Sequence, residues 1–352
     1  MSQTYRQYQV ENVCLPWSLS GLRLADVPIP TPGPGGVLVK IEAVSLQFRD
    51  VLVVNGSYPL PLLDNVVPCS DMAGSIVAMG NEVKNWTVGD RVIANFHPDL
   101  LHEDAITLEM TKNILGSTVN GVLGEYRLFP AHSLVMIPEH LSYEEAATLP
   151  CAALTAYNAL LYGFAPVKAG DTVLIQGTGG VSIFALQFVL ASGATAIVIS
   201  SSDAKLKAAT RLGAKHVINY STTPNWPDEV LRITGGRGVD RVLDVVGNAA
   251  LGKSIASVRL GGSIDIIGVL GGQSNVPPVD IIGPAIWKQL KIRGLSVGSV
   301  SQLKMMIRLL EANPDTTRPV IDKVFPFRDA AEAFRYVEEQ KHVGKVVIKI
   351  GD

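Results

Sequence analysis

The sequence predicts an α/β protein in which a small, bent β-barrel is followed by a doubly wound parallel sheet. Two patterns predict this fold. In residues 1–147, short β-rich runs are separated by Pro and Gly, which is typical of a barrel of antiparallel strands. From about residue 165 to residue 299, apolar strands alternate with helical stretches, which is typical of a mostly parallel sheet. The 352 residues, 47% of them hydrophobic, are enough for two such domains.

The predicted elements give the domain bounds. We expect a barrel domain over residues 1–147, completed by about residues 301–352, and a parallel-sheet domain over residues 148–300. A Pro/Gly-rich segment precedes the first clear strand of the barrel, Val37 to Val44. An amphipathic helix is predicted over residues 329–340, followed by one more strand. This tail is expected to pack back onto the barrel domain.

Charge, hydropathy and cysteine content exclude several classes of partner. The net charge of −2 argues against nucleic acid and membrane surfaces, because both require a concentrated basic excess. No apolar run approaches membrane-spanning length, and the polar start of the chain predicts no secretory signal. Cys14, Cys69 and Cys151 lie far apart and form no CxxC pair. They favour a reducing, cytoplasmic location without structural disulfides.

A strand, a glycine turn and a long apolar helix follow one another from Asp171 to Ala191. Closely spaced glycines permit a tight turn and let the backbone approach a pyrophosphate, which then lies at the N-terminus of the helix. Inside a complete βαβ unit, this pattern predicts a dinucleotide site. Ser182 stands where a third Gly or Ala is usual, and a turn in some other doubly wound protein is the alternative. The expected pyrophosphate ligands are Gly177, Thr178, Gly179, Gly180 and Val181.

The end of the second strand predicts which dinucleotide binds. In NAD-preferring proteins an Asp or Glu about 20 residues after the glycines binds the ribose hydroxyls, and Ser200 occupies that place here. A carboxylate repels a 2′-phosphate, whereas Ser200 and Ser201 offer hydroxyl donors and Lys205 adds positive charge. We therefore expect NADPH rather than NADH. The alternative is that Ser202 or Asp203 simply caps the next helix.

Three later groups of residues end successive predicted strands. Ligands of open α/β sheets lie at the carboxyl ends of strands, so these groups are expected to contact the cofactor. Ordinary strand-to-loop turns are the alternative for the second and third groups. The residues are Val246, Gly268, Val269, Leu270, Val297, Gly298 and Ser299.

Several motifs match those of one known family. They are QFRD at 47–50, NGSYP at 55–59, SDMAG at 70–74, VGDRV at 88–92, ATLPCAALTAY at 147–157 and RGLSVGS at 293–299. On these motifs the sequence resembles the medium-chain dehydrogenase/reductase superfamily over nearly its whole length. The resemblance implies a GroES-like β-barrel substrate domain, a Rossmann doubly wound parallel-sheet domain and a homodimer. It also implies that Tyr220 flanks the adenine side of NADPH.

The sequence differs from the zinc-containing members of this superfamily at the positions of the zinc ligands. The zinc alcohol dehydrogenases of this superfamily bring a Cys, a His and a Cys to the places of Gln47, Ser70 and Cys151. An amide, a hydroxyl and a thiolate are a poor zinc set, and residues 96–121 contain no cysteine for a structural zinc loop. The chain therefore resembles the zinc-free quinone and enoyl reductase-like branch, and we expect no metal. Without partner ligands, Cys151 is expected to be a packed residue rather than a nucleophile.

Residues 96–122 are the least regular part of the chain and are expected to form an insertion or lid. The segment contains potential metal ligands, but a solvated polar loop is the expected structure. These potential ligands are His97, Asp99, His102 and Glu103.

Without a Lewis acid, the chemistry expected of such a fold is hydride transfer to a carbon whose electrons flow into a conjugated carbonyl. The expected substrate is a small apolar conjugated carbonyl compound or a quinone, and its enolate oxygen needs a hydrogen-bond donor. Tyr58 stands where mitochondrial-type enoyl reductases have their active-site Tyr, although it also fits a residue that only lines the cleft. The Gln47 amide is expected to orient the substrate carbonyl or the nicotinamide ribose, and Thr155 to bond near the nicotinamide. Arg49 and Asp50 are expected to form an internal ion pair.

Two other functions stay open from the sequence. One is a zinc-independent alcohol or aldehyde dehydrogenase with Tyr58 as proton shuttle. The other is an NADPH-binding protein without redox turnover.

Overall fold

The computed structural model describes residues 3–11, 19–268 and 279–351. The predicted cofactor residues Val269 and Leu270 lie outside this part of the chain. The chain divides into two compact units. The first unit comprises Met1–Leu154, Val297–Pro314 and Arg318–Asp352, and the second comprises Thr155–Ser296 and Asp315–Thr317.

The elements of the described residues follow in chain order. The strands are β1 Thr4–Val10, β2 Leu22–Pro28, β3 Gly36–Leu46, β4 Asp71–Met79, β5 Arg91–Ala94, β6 Tyr126–Pro130, β7 Leu134–Met136, β8 Thr172–Gln176, β9 Thr195–Ser200, β10 His216–Asn219, β11 Val239–Asp244, β12 Val258–Ile266, β13 Lys291–Gly294, β14 Ile321–Pro326 and β15 Lys345–Lys349. The helices are α1 Phe48–Val54, α2 Leu108–Thr111, α3 Tyr143–Ala146, α4 Leu154–Leu161, α5 Gly180–Ala191, α6 Asp203–Arg211, α7 Trp226–Ile233, α8 Asn248–Ser257, α9 Ile282–Trp287, α10 Val300–Ala312 and α11 Ala330–Glu338. A π-helical turn spans Leu149–Ala153.

The first unit is built on a seven-stranded sheet in the order β14-β15-β3-β4-β5-β7, with β6 also paired to β3. Strand β15 runs antiparallel to β3, with Val346 opposite Leu46. Strand β15 near the end of the chain therefore belongs to the same sheet as the N-terminal strand β3. Strand β3 is long because almost all its apolar side chains are buried, including Val37, Val39 and Ile41.

The second unit contains a six-stranded parallel sheet in the order β10-β9-β8-β11-β12-β13. Counted within this unit, that is the 3-2-1-4-5-6 order of a doubly wound dinucleotide-binding fold, and the prediction of such a sheet is confirmed. Strand β8 is fully buried at Val173, Leu174 and Ile175, as a strand covered on both faces must be. The reversal of strand order falls between β8 and β11, which places a ligand crevice at their carboxyl ends.

The sequence predicts strands over residues 263–269 and 291–297, and the bounds of both differ in the structure. Strand β12 begins at Val258 rather than Ser263, because a register irregularity against β11 lets the chain pair through its Gly-Gly step. Strand β13 ends at Gly294 and does not reach Val297, whose φ of +54° lies outside the β region. No helix among the described residues has both the length and the apolar character that crossing a membrane requires.

Candidate active site

Gln47 connects the start of α1 to the neighbouring strand β4. It is the N-cap residue of α1, and its backbone N–H donates to Asp50 Oδ2 at 2.8 Å, as in a capping box. Its side-chain Nε2 donates to Asp71 Oδ2 at 2.6 Å. Gln47 keeps 9% of its surface exposed, whereas both aspartates are fully buried. Of these three polar residues, Gln47 is thus the one with solvent-facing surface.

Asp71, the first residue of β4, accepts hydrogen bonds from three donors. Besides Gln47, Ser70 Oγ donates to Oδ1 at 2.6 Å and the backbone N–H of Cys151 donates to Oδ2 at 3.0 Å. Burial raises the pKa of Asp71 to about 6, while the bonds from Ser70 and Cys151 act in the opposite direction. The carboxyl group is therefore ionised at neutral pH.

Lys345, the first residue of β15, supplies a buried cation to the same region. It is 3% exposed, and its Nζ donates to the backbone carbonyl of Leu46. Burial lowers the pKa of Lys345, and the carboxylates of Asp71 and Asp50 raise it. The surrounding carboxylates thus compensate its charge. We call the following residues the Asp71 cluster: Gln47, Ser70, Asp71, Cys151 and Lys345.

Tyr58 lies against the guanidinium of Arg49, whose Cζ is 4.7 Å from the centre of the Tyr58 ring. Arg49 Nη1 pairs with Asp50 Oδ1 at 3.0 Å, so the predicted ion pair is confirmed. The same guanidinium donates to the carbonyls of Leu115 and Gly116 at 3.1 and 3.2 Å. Held by these contacts, it offers the Tyr58 ring a fixed cation–π contact.

The solvated polar loop that the sequence predicted is not formed at His97, whereas His102 of the same segment is exposed. His97 is only 2% exposed, its ring contacts Phe96 edge-on at 4.8 Å, and burial lowers its pKa to about 4. Glu103 accepts from the hydroxyls of Ser299 and Ser301 at 2.8 and 3.0 Å. The prediction is wrong because this segment is bonded to the start of α10, a contact that sequence spacing does not show. No group of three or more His, Cys, Asp or Glu that could hold a metal is found in the part of the chain that the structure describes.

Three predicted cofactor residues, Val297, Gly298 and Ser299, belong to the first unit and immediately precede α10. Ser299 caps that helix in a capping box with Gln302. Asn95 Nδ2 donates to the carbonyl of Gly298 at 3.2 Å. Val297 is buried with a positive φ, which is strained for a β-branched residue and persists only where its surroundings enforce it. The bond from Asn95 and the capping box of Ser299 therefore hold the backbone of residues 297–299 in place.

In the second unit, the glycine turn leads from β8 into α5 as predicted. Gly177 has a φ of +76°, a conformation that favours glycine, and its N–H donates to the carbonyl of Ile199 at 2.7 Å. The serine at the unusual fingerprint position has a structural role, because Ser182 Oγ donates to the carbonyl of Gln176 at 2.7 Å. Thr178 precedes the N-cap residue Gly179, and α5 begins at Gly180 and Val181. The first N–H groups of a helix are suited to an anion.

Ser200 and Tyr220 come together at the carboxyl ends of β9 and β10. The backbone N–H of Tyr220 donates to the carbonyl of Ser200 at 3.0 Å. Ser200 is the last residue of β9, Ser201 is exposed, and Lys205 lies in the first turn of α6, which Ser202 caps. Both readings of the serine cluster, helix cap and phosphate contact, are compatible with this geometry.

Asp244, at the end of β11, fixes the turn that contains Val246. Its Oδ1 accepts from the backbone N–H groups of Val246 and Gly247 at 3.1 and 2.8 Å, and its Oδ2 accepts from Ser254 Oγ at 2.7 Å. Gly268 follows the next strand, and its N–H donates to the carbonyl of Asp244 at 3.4 Å.

Thr155 is a buried residue of the first turn of α4.

The residues at the zinc position do not fit a zinc ion. Gln47 and Ser70 both direct hydrogens towards Asp71, and burial raises the pKa of the Cys151 thiol, which opposes the thiolate form that zinc requires.

The chain matches two families of known proteins. The family described as alcohol dehydrogenase GroES-like domain matches residues 33–139, and the family described as zinc-binding dehydrogenase matches residues 180–312. A zinc-type alcohol dehydrogenase-like protein of Schizosaccharomyces pombe is 47% identical over 320 residues, which cover 90% of this chain and 91% of that protein. The chain belongs to the medium-chain dehydrogenase/reductase superfamily.

Other members of the superfamily are similar over most of their length. Human quinone oxidoreductase is 27% identical over 317 residues, covering 88% of this chain and 87% of that protein. The structure of the 2-octenoyl-CoA carboxylase reductase CinF, in complex with NADP and 2-octenoyl-CoA, matches with a TM-score of 0.85 at 28% identity and covers 99% of this chain and 88% of that one. The chain is therefore an oxidoreductase, and the predicted fold of a GroES-like barrel and a Rossmann sheet is confirmed.

Sequence reasoning missed Asp71 and Lys345 as residues of the Asp71 cluster. Lys345 carried a weak signal, since it is a charged residue at the start of an otherwise apolar strand. Asp71 lies within a family motif, but two of its three donors, Gln47 and Cys151, come from distant parts of the chain. Only tertiary structure brings these groups together.

Proposed function

We propose that this chain is a zinc-independent, NADPH-dependent oxidoreductase that transfers hydride to an activated C=C bond or a quinone. The observation that carries the proposal is the engagement of Gln47 and Ser70 by Asp71. Both side chains at the places of lost zinc ligands act as donors to a carboxylate, and the remaining Cys151 has a raised pKa. Without metal polarisation, a conjugated acceptor is the substrate whose electrons accept a hydride most readily.

The choice of NADPH is supported by the serines at the end of β9. Ser200 replaces the carboxylate that binds the ribose hydroxyls in NAD-preferring relatives, and Lys205 lies one turn into the next helix. The complex of CinF with NADP and an enoyl-CoA supports the same cofactor and acceptor class. The remaining cofactor contacts are assigned to the glycine turn, Tyr220, the turns at Val246 and Gly268, and residues 297–299.

The proposed roles of the protein groups follow from their chemistry. NADPH supplies the hydride when it is bound. Tyr58, with its ring held by Arg49, donates a hydrogen bond or a proton to the substrate oxygen on which negative charge develops. Gln47 orients the substrate carbonyl or the nicotinamide ribose, and Thr155 bonds near the nicotinamide.

The test is an assay of NADPH oxidation with a panel of quinones, enones and enals, together with elemental analysis for zinc. We expect turnover that survives chelation, and a large loss of kcat in Tyr58→Phe, of about 100-fold for loss of an acid catalyst. Ser200→Asp is expected to shift preference from NADPH towards NADH. Stoichiometric zinc, with activity abolished by chelation, would contradict the proposal.

The same panel separates the two alternative functions. With a cinnamaldehyde-like substrate, reduction of the aldehyde rather than the alkene identifies an alcohol or aldehyde dehydrogenase, which the similarity to an alcohol dehydrogenase-like protein favours. Tight NADPH binding without oxidation by any acceptor identifies a binding protein.

The proposal includes a homodimer formed through the edge of the parallel sheet and a location in the reducing cytoplasm. Strand β13 is one of the two edge strands of the described sheet, and helix α9, which precedes it in the chain, exposes Ile282 by 75%, Ile286 by 63% and Trp287 by 80%. Apolar exposure of this kind marks an interaction surface. Light scattering is expected to give a dimer for the wild type and a monomer for Trp287→Lys. Leu108→Lys, at an exposed apolar residue of the first unit, is the control that stays dimeric.

A further inference from the structure

We propose that Asp71 is a positioning residue. It fixes the orientation of the Gln47 carboxamide, so that its oxygen and nitrogen ends cannot exchange places towards the bound ligand. The inference rests on the proposed function, because it assigns to Gln47 the contact with substrate or nicotinamide ribose. It adds a residue that touches neither and acts through Gln47.

The chemistry of the contact determines which end of the amide faces Asp71. An ionised carboxylate only accepts hydrogen bonds, so the group 2.6 Å from Asp71 Oδ2 must be the amide nitrogen of Gln47. A solvated glutamine has no such constraint and turns either end towards a ligand. Asp71 thus removes an ambiguity that is intrinsic to the side chain.

Asp71 is itself held so that its two oxygens are not interchangeable. Oδ1 accepts from Ser70 Oγ, and Oδ2 accepts from both Gln47 Nε2 and the backbone N–H of Cys151. The N–H of Cys151 belongs to a π-helical turn and does not move independently of the backbone. The carboxylate is fully buried, so water does not replace any of these donors.

The buried location makes this arrangement selective. Hydrogen bonds to a charged acceptor are about twice as strong as neutral ones. Burial raises the pKa of Asp71, and the charge of the nearby Lys345 opposes that rise. With one amide hydrogen committed to Asp71, Gln47 keeps its carbonyl oxygen and its second hydrogen for the ligand. The ligand then contacts a side-chain amide of Gln47 whose dipole has a fixed orientation, rather than one that rotates freely.

The test is a double-mutant cycle between Asp71 and Gln47, measured as kcat and KM with the acceptor that the wild type turns over. Gln47→Ala and Asp71→Ala are each expected to lower kcat by about 10-fold to 100-fold, the range for misplacement of a positioned group. Because Asp71 acts through Gln47, the double variant is expected to be no slower than Gln47→Ala alone. A double variant whose loss of kcat equals the product of the two single losses would overturn the proposal.

Asp71→Asn is the matched conservative variant. Its Oδ1 can accept from Gln47 and Cys151, while its Nδ2 donates to Ser70 Oγ, so the geometry is retained without the charge. We expect it to recover most of the kcat lost in Asp71→Ala. If Asp71→Asn is as slow as Asp71→Ala although both melt at the wild-type temperature, positioning by hydrogen bonding is refuted. Where Asp71→Ala does not fold, the same comparison is made in a Lys345→Met background, which removes the cation left by the lost carboxylate.

A second measurement does not depend on turnover. The side-chain amide signals of Gln47 in a nitrogen–proton NMR spectrum are expected to show slow hydrogen exchange and a downfield shift in the wild type and in Asp71→Asn, but not in Asp71→Ala. Signals of a freely exchanging glutamine in the wild type would overturn the inference, whichever reaction the protein catalyses. Failure of the proposed function would instead appear as absence of turnover with the amide signals as expected.

Discussion

Replacing His97 by Gln tests whether a buried neutral imidazole is part of the folded protein. His97 is 2% exposed and burial lowers its pKa from 6.5 to about 4. Each pKa unit corresponds to about 1.4 kcal/mol, so the difference between the folded and unfolded chains is worth about 3 kcal/mol. The unfolded chain takes up the proton as the pH falls below 6.5, and the folded chain does so only near pH 4. His97 therefore lowers the free energy of unfolding as the pH falls through this window.

Asp71 has the opposite effect over almost the same range. Its pKa rises from 3.8 to about 6 on folding, so the folded chain holds the proton that the unfolded chain has lost. Stability is therefore lost as the pH rises from 3.8 to about 6, again by about 3 kcal/mol. Between pH 4 and pH 6 the two contributions oppose each other, and a flat wild-type profile does not show that either pKa is ordinary.

Urea denaturation from pH 4 to pH 7.5 separates the two groups. We expect the free energy of unfolding of His97→Gln to fall relative to wild type as the pH rises from 4 to 6.5, and that of Asp71→Asn to rise. His102→Gln, at an exposed histidine of the same segment, is the matched control for the substitution itself. A His97→Gln profile parallel to wild type throughout would refute the assignment of a buried neutral imidazole.

Three other changes have effects that the structure specifies. Asp265→Ala leaves the buried guanidinium of Arg241 and that of Arg293 without their shared carboxylate, which should cost about 3–5 kcal/mol and lower the Tm in calorimetry. Gly74→Ala places a Cβ 2.2 Å from a carbonyl oxygen of the adjacent strand and should destabilise by at least the 1–3 kcal/mol typical of overpacking, measured by urea denaturation. Ser299→Ala removes the cap of α10 and a bond to Glu103, which should cost about 1 kcal/mol and raise the KM for NADPH.

The sequence predicts well those parts of the fold that depend on contacts between residues close together in the chain. The strand, glycine turn and apolar helix that form β8 and α5 are local, and the departure at Ser182 is explained by a bond to Gln176 six positions away. Alternation of strands and helices was sufficient to predict a parallel sheet. The bounds of β12 and β13 were less accurate, because they depend on an irregular register and on the strained backbone of Val297.

The candidate site is harder to predict, because its contacts join distant positions. Asp71 meets Gln47 across 24 residues and Cys151 across 80, and Lys345 donates to a carbonyl 299 residues away. The segment of His97 also has a distant partner, since the N–H groups of Val300 and Ser301 donate to the carbonyls of Leu100 and Leu101. Polar composition predicts solvation only where no such partner exists.

The same long-range contacts bear on whether Cys151 is a nucleophile. Its side chain is partly exposed, so access alone does not protect it, but burial and the charge of Asp71 raise the pKa of its thiol, and the cations of Lys345 and Arg49 lower it only in part. Each unit of increase reduces the reactive thiolate about tenfold. Alkylation by iodoacetamide at pH 8, followed by peptide mass spectrometry, should therefore modify Cys151 far more slowly than a free cysteine peptide. Lys345→Met, which removes a cation, should slow it further. Rapid labelling of Cys151 with parallel loss of turnover would show that the thiolate is accessible in the folded protein and that the cluster does not suppress it.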